Sequence, residues 1–198
     1  PFCVPATDLI LNVKTSRFDD GSLSRFIFYP AQFWEHKNHR ILVLAFSRLV
    51  LKYPELKLVL SGASKNNFYS IKSLVETLGL RDKVVFCGYI DQSDLSWLYQ
   101  NCAVFVMASF CGPTNIPPLE ALYFGVPIVI SDVYAHREQC GEAALYFDPS
   151  SVEDLISKVE MVFIADTANQ MRQKALDRSK LFTYEKFGLT LSEIVDEA

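Results

Sequence analysis

From Arg25 onward, short apolar runs alternate with longer stretches in which apolar residues recur every three or four positions. Phe26-Ile27-Phe28-Tyr29 has the length and unbroken apolar character of a strand buried on both faces. Similar runs occupy Lys57 to Gly62, Lys83 to Phe86, Ala103 to Met107, Pro127 to Ile130 and Ala144 to Phe147. Between them, helical spacing predicts α-helices over His39 to Lys52, closed by Pro54, and over Phe68 to Leu78, stopped by Gly79. Further helices are predicted over Ser93 to Gln100, with Asp91 or Ser93 as cap, over Pro118 to Phe124 and over Ala135 to Gln139. Beyond Pro149 the strand pattern ends, and Val152 to Ala165, Ala168 to Leu181 and a segment from Tyr184 read as helices. This alternation implies an α/β fold, a doubly wound parallel sheet of about six strands with helices on both faces and a helical C-terminus. Residues 1–24, with loop-forming Asp19-Asp20-Gly21-Ser22, read as a linker leading into a domain over residues 25–198.

Composition narrows the partners. With 198 residues, 50% of them hydrophobic, the chain can bury a substantial single core. A net charge of -4 argues against nucleic acid as partner but leaves room for a local positive pocket around one small phosphate ligand. Five widely spaced cysteines, without a C-x-x-C pair, fit a reducing cytoplasm. The longest nearly apolar run, Ile41 to Leu51, is interrupted by Ser47 and Arg48 and is too short for a transmembrane segment, so none is expected. A first residue Pro1 in place of Met suggests a domain taken from a longer chain.

Candidate chemistry gathers in the loops that follow strands. Phe110 to Glu120 links a strand to a helix start, where unpaired backbone N–H groups and the positive end of the helix dipole favour an anion. Gly112 permits close backbone approach, Pro113 and Pro117 restrain the loop, and Thr114 and Asn115 add donors and acceptors before Ile116. Glu120 repels phosphate but accepts well from paired hydroxyls, as on a sugar or ribose; the stretch alone favours a turn with a solvated glutamate at its helix N-terminus. In a doubly wound sheet the loop Gln32 to Arg40 shares the same edge, so Lys37 either meets that phosphate or is a solvated lysine. Gly88-Tyr89-Ile90 either holds a flat base or forms a structural turn. His36 and His39, read as surface histidines, lack a third ligand, and no metal site is expected. His136 and Arg137 offer either a phosphate contact or an exposed first helical turn. Neither G-x-G-x-x-G, nor a P-loop, nor a nucleophile elbow occurs.

Four stretches, taken in order, carry a resemblance: Tyr29 to Asn38, Val85 to Ile90, Pro117 to Leu122 with Gly125 to Val129, and Ala143 to Pro149. From about Phe26 to near its end, the chain resembles the C-terminal, nucleotide-sugar-binding domain of retaining family 4 glycosyltransferases (glycosyl transferases group 1), a Rossmann-like half of the GT-B fold. The resemblance implies that Glu120 is the second glutamate of an E-x7-E motif, on the donor's ribose hydroxyls. It implies that Lys37 is the lysine of an Arg and Lys pair that neutralises the diphosphate; these two are the catalytic candidates. Thr114, Asn115 and Ile116 would line the donor sugar and phosphate, and Tyr89 and Ile90 the base. Gly112 stands where the first glutamate is expected and Gln32 where the arginine is expected; Thr114 or Asn115 is expected to substitute.

By the same resemblance, the complete enzyme would transfer a sugar from a UDP- or GDP-sugar to a glycan or lipid-linked acceptor held by an N-terminal domain that this chain lacks. It would do so with no metal or other cofactor. The implied setting is surface polysaccharide biosynthesis of a mannosyltransferase-like kind, in the cytoplasm or at the inner face of the membrane. Two alternatives share the fold: a sugar-nucleotide epimerase, and a non-catalytic nucleotide- or protein-binding module, the latter motivated by Gly112 and Gln32.

Overall fold

The computed structural model describes residues 16–112 and 116–196. Six strands, β1 (Phe26–Pro30), β2 (Lys57–Ser61), β3 (Val84–Gly88), β4 (Val104–Met107), β5 (Ile128–Ser131) and β6 (Ala144–Phe147), form one parallel sheet. Their order is β3-β2-β1-β4-β5-β6. Phe26 to Tyr29 and Val104 to Val106 are completely buried, which is what unbroken apolar runs demand of strands covered on both faces.

Eight α-helices connect and cover the described strands: α1 (His39–Lys52), α2 (Phe68–Thr77), α3 (Gln92–Asn101), α4 (Ile116–Tyr123), α5 (Tyr134–Cys140), α6 (Val152–Val162), α7 (Ala165–Ser179) and α8 (Tyr184–Asp196). On α1, His39, Leu42, Val43, Phe46 and Leu49 are all buried, three and four residues apart, so one face seals against the sheet. Of the two caps expected for α3, Asp91 serves: its side chain accepts from Asp94 N–H at 2.9 Å. The helix expected over Val152 to Ala165 ends earlier, at Val162. There Phe163 packs edge-on against Tyr53 with ring centroids 5.0 Å apart, and the Arg25 guanidinium lies 4.0 Å from the Phe163 ring. Holding Phe163 in this way leaves Ile164 extended, and α7 starts afresh.

Residues 16–24 of the expected linker lie against the body. Ser16 and Arg17 bind the Asp94 carboxylate at 2.8 and 2.9 Å, and Leu23 is buried. No helix among the described residues is long and apolar enough to cross a membrane.

The sheet order places the site. From β1 the chain builds outward to β2 and β3, and from β4 outward to β5 and β6, so the loops after the adjacent strands β1 and β4 part over a crevice at the carboxyl edge.

Candidate functional site

The loop from Ala31 to Asn38 stands on buried aromatic side chains. Tyr29, at the end of β1, donates its hydroxyl to Lys37 C=O at 2.8 Å and accepts from the Ala108 backbone N–H, so one buried oxygen ties the loops after β1 and β4 together. Burial pushes its phenol far above the usual range. His39 is completely buried, stacked on Phe33 at 4.4 Å and tilted against Tyr29 at 4.9 Å. Its Nε2 lies 3.2 Å from Ala31 C=O, which makes Nε2 the protonated nitrogen, while Nδ1 has no hydrogen-bond partner among the described residues. Burial pushes the His39 pKa down to about 4, so the ring is neutral near pH 7. The expectation of a surface histidine was wrong here: His39 falls on the 39, 42, 43, 46, 49 apolar spacing of α1, a signal already present in the sequence. Asn38 closes the loop in the left-handed region, φ 53°, and donates from Nδ2 to Pro149 C=O at 2.9 Å.

This loop is zipped to the one after β2. Ala31 N–H donates to Ser61 C=O at 2.8 Å, Phe33 N–H to Ala63 C=O at 3.2 Å, and Asn67 N–H to Phe33 C=O at 3.0 Å. The approach is so close that a Cβ on Gly62, φ 138°, would lie 2.5 Å from the Ala31 carbonyl oxygen.

The loop after β4 leans on the first. Phe110 N–H donates to His36 C=O at 2.9 Å, and the Ser109 hydroxyl lies 3.2 Å from that same carbonyl. Beneath, Ser131 Oγ donates to Ser109 C=O at 2.6 Å and His136 Nδ1 lies 2.9 Å from Ser131 C=O. His136 is therefore buried within the supporting layer, correcting the exposed helical turn weighed for it; burial and the positive charge of Lys37 both lower its pKa. Arg137 grips Asp132 with two nitrogens, at 2.5 and 2.6 Å, and lies over the Tyr146 ring at 4.5 Å, so its guanidinium is engaged in an exposed ion pair. Gly112 is half-buried; Thr114 and Asn115 lie outside the described residues.

Glu120 settles between its two readings. It is half-buried on α4, with Tyr99 Oη 2.8 Å from its Oε2, so it is no solvated glutamate. Burial raises its pKa, and the Tyr99 hydrogen bond opposes that rise. Tyr99 also lies 3.2 Å from Pro117 C=O. With one carboxylate oxygen engaged, the other is oriented to accept. In the sequence Tyr99 shows only as an apolar-face residue of α3, and nothing marks it as a partner of Glu120.

Two cavities meet at the crevice. The larger, about 430 Å³, is lined by Gln32, Trp34, His36, Lys37, Ile116 and Pro117 among others. The smaller, about 280 Å³, is lined by Gly62, Gly88, Tyr89 and Ile90, and the two share Pro30, Ala31 and Gln32. The sheet edge thus brings Lys37, Gln32 and Ile116 to one cavity and Tyr89 and Ile90 to its neighbour. Glu120 stands one turn behind Ile116 and Pro117. Lys37 is half-buried, its pKa lowered by desolvation against the opposing influence of Cys111. Trp34, not singled out in the sequence, donates its indole N–H to Gln32 Oε1 at 3.0 Å. Among the described residues, no group of three His, Cys, Asp or Glu is placed to hold a metal.

A parallel sheet in this order, with its cavities at the β1 and β4 ends, is a Rossmann-like doubly wound fold. The chain belongs to the family of glycosyl transferases group 1, whose model matches residues 15–178, and it is a C-terminal GT-B domain. It is similar to mannosylfructose-phosphate synthase of Agrobacterium fabrum, 29% identical over 160 residues, which cover 76% of this chain and 35% of that protein. It is also similar to O-antigen chain mannosyltransferase B of Escherichia coli, 30% identical over 154 residues, 75% of this chain and 40% of that protein. Among solved structures, Anabaena HepE in complex with UDP and glucose shares the fold with a TM-score of 0.80 at 16% identity, over 90% of this chain and 50% of that one. Sucrose-phosphate synthase from Thermosynechococcus elongatus does so with a TM-score of 0.79 at 23% identity, over 89% and 46%. The chain therefore spans half or less of the length of each of these proteins.

Proposed function

We propose that the chain is the donor-binding half of a retaining glycosyltransferase, and that its ligand is a nucleotide-diphosphate sugar lying across the two cavities. The observation that carries this reading is the junction at Gln32, where a cavity holding the Lys37 ammonium and the start of α4 opens into one bordered by Gly88, Tyr89 and Ile90. The base takes the smaller cavity, against backbone groups of Gly88 to Ile90 and the exposed Tyr89 ring. The diphosphate takes the larger, where Lys37 and the first-turn N–H groups of α4 offset its charge without a metal. Glu120 accepts from the ribose hydroxyls with the oxygen that Tyr99 leaves open. By their place in the sequence, Thr114 and Asn115 are the candidates to replace the carboxylate that Gly112 lacks.

During transfer, negative charge grows on the departing nucleotide diphosphate. Lys37 and the amides of α4 are already in place to meet it, so they stabilise the transition state more than the ground state. The acceptor, a glycan or lipid-linked glycan, sits on the N-terminal half of the enzyme. The likeness to an O-antigen chain mannosyltransferase supports surface polysaccharide biosynthesis, in the cytoplasm or at the inner membrane face, with a UDP- or GDP-sugar as donor.

Thermal-shift and calorimetric titration of the chain with UDP, GDP and their sugars tests the proposal. One nucleotide should stabilise the fold by about 2.7 kcal/mol at a hundredfold excess over its Kd. Lys37→Ala and Glu120→Ala should each remove most of that gain. No shift with any of these ligands at millimolar concentration sinks the proposal, and a shift that ignores both substitutions points instead to a non-catalytic binding module.

A further inference from the structure

Cations around the carboxyl edge differ in what holds them. Arg137 is committed to Asp132 and Arg17 to Asp94. Lys65, on the loop between β2 and α2, is half-buried with its ammonium 5.2 Å from the centre of the Trp34 ring, and it forms no ion pair with the described residues. An ammonium over an aromatic face keeps N–H donors for a further acceptor. The cation–π contact offsets part of the rotamer freedom that Lys65 gives up, and holds the ammonium beside a ring that lines the larger cavity.

Trp34 also lines the larger cavity, and its indole N–H engages the carbonyl end of Gln32 at 3.0 Å. With Oε1 so engaged, the Gln32 amide nitrogen is the end left to donate. Gln32 belongs to both cavities, so a ligand lying across them passes it. We infer that Gln32, Trp34 and Lys65 form a second anion contact, in which Lys65 adds to Lys37 the second positive charge on the diphosphate of a bound nucleotide. The zipper from Ala31 to Asn67 supplies the rigidity, because it fixes the Lys65 loop against the Trp34 loop through backbone bonds. This inference rests on the reading of the cavities as a nucleotide-diphosphate site.

The test is isothermal titration of UDP and GDP into the wild-type chain and into Lys65→Ala, Lys65→Met, Lys65→Arg and Lys37→Ala. Loss of a charge-assisted contact at a half-exposed group should weaken the nucleoside diphosphate about tenfold in both Lys65→Ala and Lys65→Met, while Lys65→Arg recovers most of it. Affinity within about twofold of wild type in Lys65→Ala, on the same scale, overturns the inference. So does recovery by Lys65→Met, which would mark the packing of the stem on Trp34 in place of its charge. Binding lost in Lys37→Ala but kept in Lys65→Ala overturns this inference alone. Absence of nucleoside diphosphate binding by the wild type overturns the reading of the cavities and this inference together.

Discussion

The two loops that face each other across the crevice are built differently. The loop after β1 rests on Tyr29, Phe33 and His39, all buried, and is zipped by backbone bonds to the loop after β2. The loop after β4 rests on two serine hydroxyls, Ser109 and Ser131, and on a carbonyl borrowed from the first loop, that of His36; its Phe110 is half exposed. One wall is set by the core, and the other takes its position from that wall. The group proposed to meet the diphosphate, Lys37, lies on the first, whereas the residues expected to meet the variable part of a donor, Thr114 and Asn115, follow the second.

Breaking the first wall should have the largest effect. Gly62→Val places a branched side chain where even a Cβ would lie 2.5 Å from the Ala31 oxygen, in backbone that disfavours any side chain. A loss of more than about 3 kcal/mol is expected in urea unfolding, with nucleotide binding lost as well. An unchanged midpoint would show that the zipper yields at little cost.

Acid should act on His39 and Glu120 with opposite signs. The His39 pKa of about 4 lies below the ordinary histidine value of 6.5, so between these values the unfolded chain binds a proton that the folded chain does not. Its stabilising contribution is complete above pH 6.5 and is lost as pH falls towards 4, by about 3 kcal/mol in all. Glu120, behind the second wall, has a raised pKa, so its contribution is present at low pH and is lost as pH rises through 4.5 and the folded value above it. His136 shifts in the same direction as His39, so the measurement is the difference between wild type and His39→Gln, by urea unfolding from pH 7.5 to 4.5. That difference should shrink on acidification; a constant difference would assign the buried ring no role in pH dependence.

The smallest contrast compares the two sets of hydroxyls. Tyr29→Phe strands Lys37 C=O and Ala108 N–H together and should cost about 2–3 kcal/mol, with weaker nucleotide binding because Lys37 loses its anchor. Ser131→Ala removes one support of Ser109 and should cost about 1 kcal/mol, with little change in nucleotide affinity. Equal effects on affinity would show that the walls are one unit.

Much of the fold was legible because period and burial are local properties of a chain. Runs without polar alternation marked strands of a doubly covered sheet, and 3.6-residue spacing marked helices, so α1 and β6 fall at their expected bounds. The misplaced end of α6 had no local mark, because it depends on Phe163 meeting Tyr53 and Arg25 from distant parts of the chain. Site residues were legible where position in a strand-to-helix loop was enough: Gln32, Lys37, Tyr89, Ile90 and Ile116 do line the crevice. The residues that support it, Tyr29, Tyr99 and His39, were not, since each is an ordinary strand or helix residue until its partner is known.

By itself the sequence determined the sheet and its helices, the edge at which loops gather, and the family to which the chain belongs, because hydrophobic period and motif order survive without coordinates. Only the tertiary structure decided that Glu120 is half-buried against Tyr99, that Arg137 pairs with Asp132, and that Lys65 lies over Trp34. These contacts join residues according to which strands lie side by side and how closely their loops approach. Spacing along the chain carries neither.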